Sequence, residues 1–171
     1  KNKINIKSFS YKFLTVSILL IVFSLFLVSL ISYNEFDPSP FSIGEEAATN
    51  ILGILGAYIS SVLIFVYGDS VWLIILGLLL LSKLVIVTQN YAKLILLRII
   101  VIFFSTFMFS MSIIALNLES GILAKVLLVK LSKDLGSFYN DYIDYIRFSN
   151  LFLSLIIYFT CLSKNLKSFI S

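Results

Sequence analysis

The stretch FLTVSILLIVFSLFLVSLI, from Phe13 to Ile31, decides the fold: it runs for 19 residues without a charge. A bilayer core about 30 Å thick needs roughly 20 apolar residues in a helix, and this run meets that length. A cleavable signal would carry a shorter apolar core followed by a small-residue cleavage site. Here the run passes directly into Ser32-Tyr33-Asn34-Glu35, with Tyr33 as an interfacial aromatic. The stretch is a membrane-spanning helix.

Its two flanks differ in charge. Residues 1–12 carry Lys1, Lys3, Lys7 and Lys12 and no acid, which predicts a cytoplasmic amino terminus. The following stretch, Ser32–Glu46, holds Glu35, Asp37, Glu45 and Glu46 without a lysine or arginine. It also holds Pro38 and Pro40, which break helix and favour turns. An acidic loop of this kind belongs on the outer face.

Residues 47–82 carry one charge, Asp69, and are too long for one untilted span. Two arrangements fit. Ile51–Tyr67 and Val71–Val87 can form a complete hairpin, which would put Lys83, Lys93 and Arg98 outside. Alternatively Ala47–Ser61 lies in or dips into the outer leaflet, and one span covers about 62–82. The second keeps the basic loop inside and is preferred on charge asymmetry. Lys83, Lys93 and Arg98 then form a short loop before a third span over 99–118, whose outer end is marked by Glu119 and Gly121.

Residues 119–147 mix Lys125, Lys130 and Lys133 with apolar positions, and then place Tyr139, Tyr142, Ile143 and Ile146 on one helical face, away from Asp141 and Asp144. This pattern fits an amphipathic helix at the membrane surface, or equally one packed on the outer ends of the spans. Arg147 opens the last apolar run, 148–163, and Lys164 closes it. Sixteen residues are short for a span, and snorkelling by the two cations makes up the difference. Lys164 and Lys167 place the carboxyl terminus inside. The expected fold is a single all-α integral membrane domain over 1–171, with about four transmembrane helices (13–31, 62–82, 99–118 and 148–163), an interrupted second segment and an amphipathic outer-face segment.

Composition agrees. Hydrophobic residues make up 60% of the 171 and charged residues only 13%, with a mean hydropathy of +1.05. Lipid accepts an apolar exterior that water would not. The chain has no histidine, the commonest general base and metal ligand. Its one cysteine, Cys161, excludes a thiolate cluster and an intrachain disulfide. No glycine-rich loop ending in Lys-Ser or Lys-Thr occurs, so no P-loop binds nucleotide here. The net charge of +4 comes from cations scattered beside apolar runs, as membrane flanks rather than a phosphate-tracking patch. No catalytic, cofactor-binding or metal-binding residue is expected. The chain starts at Lys1 without an initiator methionine and ends just after an apolar segment, so it is expected to be part of something longer.

Two strings go beyond a generic membrane protein. One is Ser32-Tyr33-Asn34-Glu35-Phe36-Asp37-Pro38-Ser39; the other is Asn50-Ile51-Leu52-Gly53-Ile54-Leu55-Gly56-Ala57, followed by Phe65 and Gly68. Asp37-Pro38-Ser39 is turn chemistry. Gly53, Ala57 and Ser61 recur every four residues as a small-residue ridge, which lets helices approach closely in lipid. Intrachain packing and oligomer contact both fit such a ridge. Asp69 is the one acid in the long apolar stretch. It is expected about two turns inside the outer boundary, protonated or paired with a lysine or tyrosine, and a proton or ion role is the alternative.

The two strings together resemble the amino-terminal membrane domain of the FtsK/SpoIIIE family of bacterial DNA translocases. The specific motifs lie between Ser32 and Gly68, and beyond Leu118 the similarity is one of pattern. The family often has Ala-Asp soon after the Gly-Ala, where this chain has Ser60-Ser61, so no role of that acid passes to Ser61. The resemblance implies a membrane anchor at the division septum for a cytoplasmic, ATP-driven, hexameric DNA pump beyond residue 171, acting in cell division, the cell cycle and chromosome partition. ATP and magnesium are implied for that motor alone, and DNA would be bound only through it. Division-machinery membrane proteins and further copies of the chain are the implied partners, besides the inner-membrane bilayer. The alternative is a small polytopic transporter or channel subunit. Candidate packing or interface residues are Asp37, Pro38, Ser39, Asn50, Gly53, Gly56, Ala57, Gly68 and Asp69.

Overall fold

A computed structural model describes residues 6–42, 47–87, 94–116 and 118–163. Lys1, Lys3, Glu45, Glu46, Lys93, Lys164 and Lys167, whose charges support the expected topology, lie outside the described residues. The chain is all helical: α1 (Ile6–Ile31), α2 (Gly53–Tyr67), α3 (Val71–Val87), α4 (Ile95–Ser110) and α5 (Ile122–Leu162), with short 3-10 turns at Gly68–Ser70 and Ile113–Leu116. Among the described residues no strand forms, only an isolated bridge between Ser39 and Ser42. Four stretches are long and apolar enough to cross a membrane: Ser10–Ile31, Gly53–Val87, Ile95–Ser112 and Asp141–Leu162. The protein is a multi-pass membrane protein.

Its core is an apolar seam in which α3 is central. Val71, Ile74, Leu78, Leu81 and Val85 are buried at helical spacing, against Leu19 and Leu30 of α1, Ile102 of α4, and Tyr158 and Cys161 of α5. Gly77 allows this closeness, since a Cβ there would lie 2.8 Å from Ile102 Cγ2 and 3.0 Å from the Tyr158 hydroxyl oxygen. That hydroxyl donates to the Leu73 carbonyl at 2.6 Å, so the tyrosine's polar end is satisfied inside an apolar wall.

The interrupted segment breaks at Gly68, inside the expected span 62–82. Gly68 has φ 54° and ψ −140°, a conformation that needs glycine. Beyond it α3 runs beside α4. Ser70 at its start hydrogen-bonds toward the Thr106 carbonyl, 3.4 Å away, late in α4. The loop leaving α1 accompanies α2: Asp37 is bonded to residues just before the helix, and the Phe41 ring stacks on Phe65 near its end, centroids 4.0 Å apart. This places the end of α1 and the end of α4 on the same side of the bundle, called here the upper end.

Two expectations need correction. Arg98 is not a loop cation; it lies in the first turn of α4 and is only 8% exposed. Its Nη1 donates to the carbonyls of Cys161 at 2.7 Å and Ser163 at 3.1 Å. Those carbonyls close α5 and lack helical partners, so a cation there meets both the orphan acceptors and the negative end of the helix dipole. Helix α4 also stops at Ser110, where the expected span ran on to Leu118. Asn150 of α5 donates to the Met108 carbonyl and the Ser112 hydroxyl, supplying partners where the helix ladder ends. At the other end of the chain α5 divides at Gly136, with φ 57° and ψ −138°, into arms over 122–135 and 137–162. On the second arm Asp141, Tyr142, Asp144, Tyr145 and Ile146 are all exposed, and Ile143 is half-buried.

Candidate functional site

The sequence-predicted residues converge on the upper end, around Asn50. Asp37 comes first in chain order. Its carboxylate accepts the Thr49 amide and hydroxyl, both at 2.8 Å on Oδ1, and the Asn50 amide at 2.9 Å on Oδ2. These donors hold the carboxyl below the usual aspartate range, the Thr49 amide foremost, although burial opposes them. Asp37 is only 4% exposed, so its carboxylate is spent inside the turn, while Phe36 and Phe41 remain exposed on either side of it. Ser39 closes the turn, accepting the Phe41 and Ser42 amides, while Ser42 donates to the Asp37 carbonyl. Pro38, half-buried between them, fixes φ at the bend.

Asn50 is held by this turn and in turn holds α1. Its Nδ2 donates to the carbonyls of Ser29 at 2.9 Å and Ser32 at 3.0 Å, the unpaired acceptors of the α1 terminus. Its Oδ1 accepts the Leu52 amide at 3.1 Å. Ser29 returns the tie, donating Oγ to the Gly56 carbonyl at 2.5 Å. Gly56 has to be glycine, because a Cβ would sit 2.0 Å from Asn50 Oδ1. Asn50 thus joins the acidic turn, the end of α1 and the first turns of α2.

The small-residue ridge is not the one expected. A Cβ added at Gly53 would meet nothing within 4 Å, and this glycine is needed for its φ of 62° at the helix start, not for close approach. The packed small face consists of Gly56, Ala57, Ser60 and Ser61, all buried. Ser60 and Ser61 donate back to carbonyls of their own helix, at Gly56 and Tyr58.

Asp69 also departs from expectation. It is exposed in the break between α2 and α3. It accepts the Glu119 amide on Oδ2 at 2.8 Å and sends its own amide to the Glu119 carbonyl at 2.8 Å. No lysine or tyrosine takes part in these contacts, because a helix break exposes backbone groups that a carboxylate can join. Gly68 lies against the same strand of loop, where a Cβ would be 2.3 Å from the Glu119 carbonyl oxygen. Beside it Ser110, fully buried, donates to the Tyr67 carbonyl at 2.9 Å and accepts the Gly121 amide at 3.1 Å.

The upper end therefore has two polar junctions, one at Asn50 and one at Gly68, joined by α2. Its chemistry is that of a shaped surface, with hydrogen bonds spent on backbone. The family model for the 4TM region of DNA translocase FtsK/SpoIIIE matches residues 13–131. The chain belongs to that family. No curated protein and no solved structure matches it. It is thus the membrane region of an FtsK/SpoIIIE translocase, and both polar junctions fall inside the matched residues. The match ends before Gly136 and the last membrane stretch.

Ser29, Thr49, Ser110 and Glu119 complete the junctions; Glu119 is marked in the sequence only as the outer end of a span, and the other three have no signal of their own. Serines near the ends of apolar runs are common and often bond their own helix, as Ser24 does to Leu20. Asn50 and Gly56 stand out in the sequence only as part of the string that resembles the family.

Proposed function

We propose that this chain anchors an ATP-driven DNA motor to the inner membrane at the division septum, with both termini cytoplasmic and the upper end outside. The observation that carries the reading is the family match over residues 13–131. Supporting it, the buried polar groups at the upper end fix backbone geometry and leave a shaped, rigid loop surface between α1 and α2. In this reading α1, α3, α4 and the second arm of α5 cross the bilayer, and α2 lies in the outer leaflet. The motor, its ATP and magnesium, and its hexameric assembly belong beyond residue 171, and division proteins dock on the upper end. The alternative reading, a small polytopic transporter or channel subunit, rests on Asp69, whose carboxylate is taken up by the Glu119 amide.

A fluorescent fusion of the chain, produced in dividing bacteria, tests the reading. Enrichment at the septum is expected, with longer cells on overproduction as partners are titrated. Uniform membrane fluorescence would contradict a self-sufficient targeting module.

A further inference from the structure

The two arms of α5 leave a cleft that the anchoring reading does not use. Where the arms meet the end of α4, a cavity of about 380 Å³ has an apolar wall that includes Met108, Leu128, Leu131 and Leu153, with Ser112, Ser149, Asn150 and Arg147 as its polar lining. A second cavity of about 430 Å³ adjoins it, sharing Leu128 and Arg147, and is lined also by Lys125 and Ser132. Arg147 stands at the junction. Its Nε is buried without a hydrogen-bond partner. Its Nη1 has Asp144 Oδ1 at 3.8 Å, but the Asp144 side chain is 75% exposed and at that distance makes no hydrogen bond.

A buried guanidinium nitrogen without an acceptor is costly, and it marks a place where an anion would be stabilising. The depth is also defined. Ser112 and Asn150, which close the α4 ladder, lie in the wall of the first cavity, so the cleft sits where a span ends and headgroups begin. Cations beside an apolar slot match a lipid with a negative headgroup, the phosphate on the cations and an acyl chain in the slot.

We infer that this cleft binds one anionic glycerophospholipid, its phosphate on Arg147 and Lys125 and an acyl chain along Leu128 and Leu153. Binding draws Arg147 from Asp144 to the phosphate and pins the two arms together across Gly136. The site depends only on the chain's residence in a bilayer, not on septal targeting or a motor.

Native mass spectrometry of the detergent-solubilised chain tests this, with phosphatidylglycerol and a diacylglycerol of identical acyl chains, which lacks the phosphate. Phosphatidylglycerol should be retained about tenfold better, as one charge-assisted contact implies. The double variant Lys125→Gln, Arg147→Gln should bind the two lipids equally. Leu128→Trp, which fills the slot and keeps both cations, should weaken retention of phosphatidylglycerol. Equal retention of the two lipids by the unaltered chain would overturn the proposal, whatever the variants do. So would release of phosphatidylglycerol by millimolar inorganic phosphate, which would reduce the site to a simple anion pocket.

Discussion

Asp69 and Glu119, fifty residues apart in sequence, exchange two hydrogen bonds of 2.8 Å: each donates its backbone amide, one to a carbonyl and the other to a carboxylate. The pair ties the break between α2 and α3 to the loop that precedes α5. Both residues are exposed, so the bonds themselves add modest stability, whereas the backbone approach beside them is tight.

That contrast gives a first prediction. Asp69→Ala removes one exposed acceptor and should cost about 0.5–1 kcal/mol. Gly68→Ala meets both a positive φ and a carbonyl oxygen 2.3 Å from the new Cβ, and should cost about 3 kcal/mol or more. Melting of the two variants in detergent measures the difference. Equal losses would mean that the backbone contact is not as close as described.

The acidic turn predicts a pH dependence. The Asp37 carboxyl titrates below its ordinary value of 3.8 because the Thr49 and Asn50 donors favour the charged form. A depressed folded-state value contributes stability that is present above the unfolded value and lost as pH falls through the folded one. Asp37→Asn would set an amide against the Asn50 N–H and should lower the melting temperature by several degrees at neutral pH. The gap to the unaltered chain should stay constant above about pH 5 and narrow below about pH 4. A gap that narrowed between pH 6 and 8 would assign the effect to another group.

Asn50 and Gly56 should be coupled. Gly56→Ala forces a methyl onto Asn50 Oδ1, 2.0 Å away, and so breaks the Asn50 bonds to α1 as well. Its cost should be about 3 kcal/mol, overpacking and lost bonds together. Once Asn50→Ala has removed the amide, Gly56→Ala still meets Leu52 Cβ at 2.7 Å but should cost less, a departure from additivity of at least about 1 kcal/mol. Gly53→Ala should behave differently, costing roughly 1–2 kcal/mol through its positive φ and adding independently to Asn50→Ala. Gly53→Asn should recover part of that loss, because asparagine tolerates the left-handed region.

Much of this fold was legible because lipid makes the rules strict. The uncharged run from Phe13 to Ile31 lies within α1, and the small and polar residues at Asn50, Gly56 and Gly68 lie where backbones meet. What escaped the sequence was partner choice. Arg98 reads as a flank cation under a charge rule, but its neighbours in space are the last carbonyls of α5, sixty-three residues on. Asp69 reads as an intramembrane acid if one span covers 62–82, whereas the helices divide between Tyr67 and Val71, where the hairpin arrangement divides them. Gly53 and Gly56 look equivalent as letters. One supplies a dihedral angle and the other supplies space.

Arg98 should act as a clamp on the end of α5. Arg98→Met keeps much of the apolar stem but leaves the Cys161 and Ser163 carbonyls without their donor, a loss of roughly 1.5–3 kcal/mol for charge-assisted bonds. Cys161 is 1% exposed and its Sγ–H points to the Arg98 carbonyl at 3.4 Å. Loosening of that end should therefore raise the rate at which a small, membrane-permeant thiol reagent labels Cys161, about tenfold or more. Arg98→Lys should give an intermediate rate, since one ammonium reaches the same carbonyls without the planar fork. An unchanged labelling rate in Arg98→Met would show that packing alone holds the end of α5.

The placement of α2 is the sharpest test of the proposed topology, because its two ends make opposite predictions under the two arrangements. The helix is 15 residues long, about 22 Å at 1.5 Å per residue, short of a bilayer core about 30 Å thick but able to cross one that thins locally. Its first turns are tied to the end of α1 through Asn50, and its last to the end of α4 through Ser110 and to the α1–α2 loop through Phe41. If α2 lies in the outer leaflet, single cysteines at Phe36, Ile51 and Asp69, each exposed and each in a Cys161→Ser background, should all react with an impermeant maleimide added to intact spheroplasts. A cysteine at Val87, exposed at the far end of α3, should react only after lysis. If α2 instead crosses, Ile51 and Asp69 must label from opposite sides and Val87 must label together with Ile51. That pattern would give five crossings and move the carboxyl terminus to the other face, where a cytoplasmic motor could not follow it.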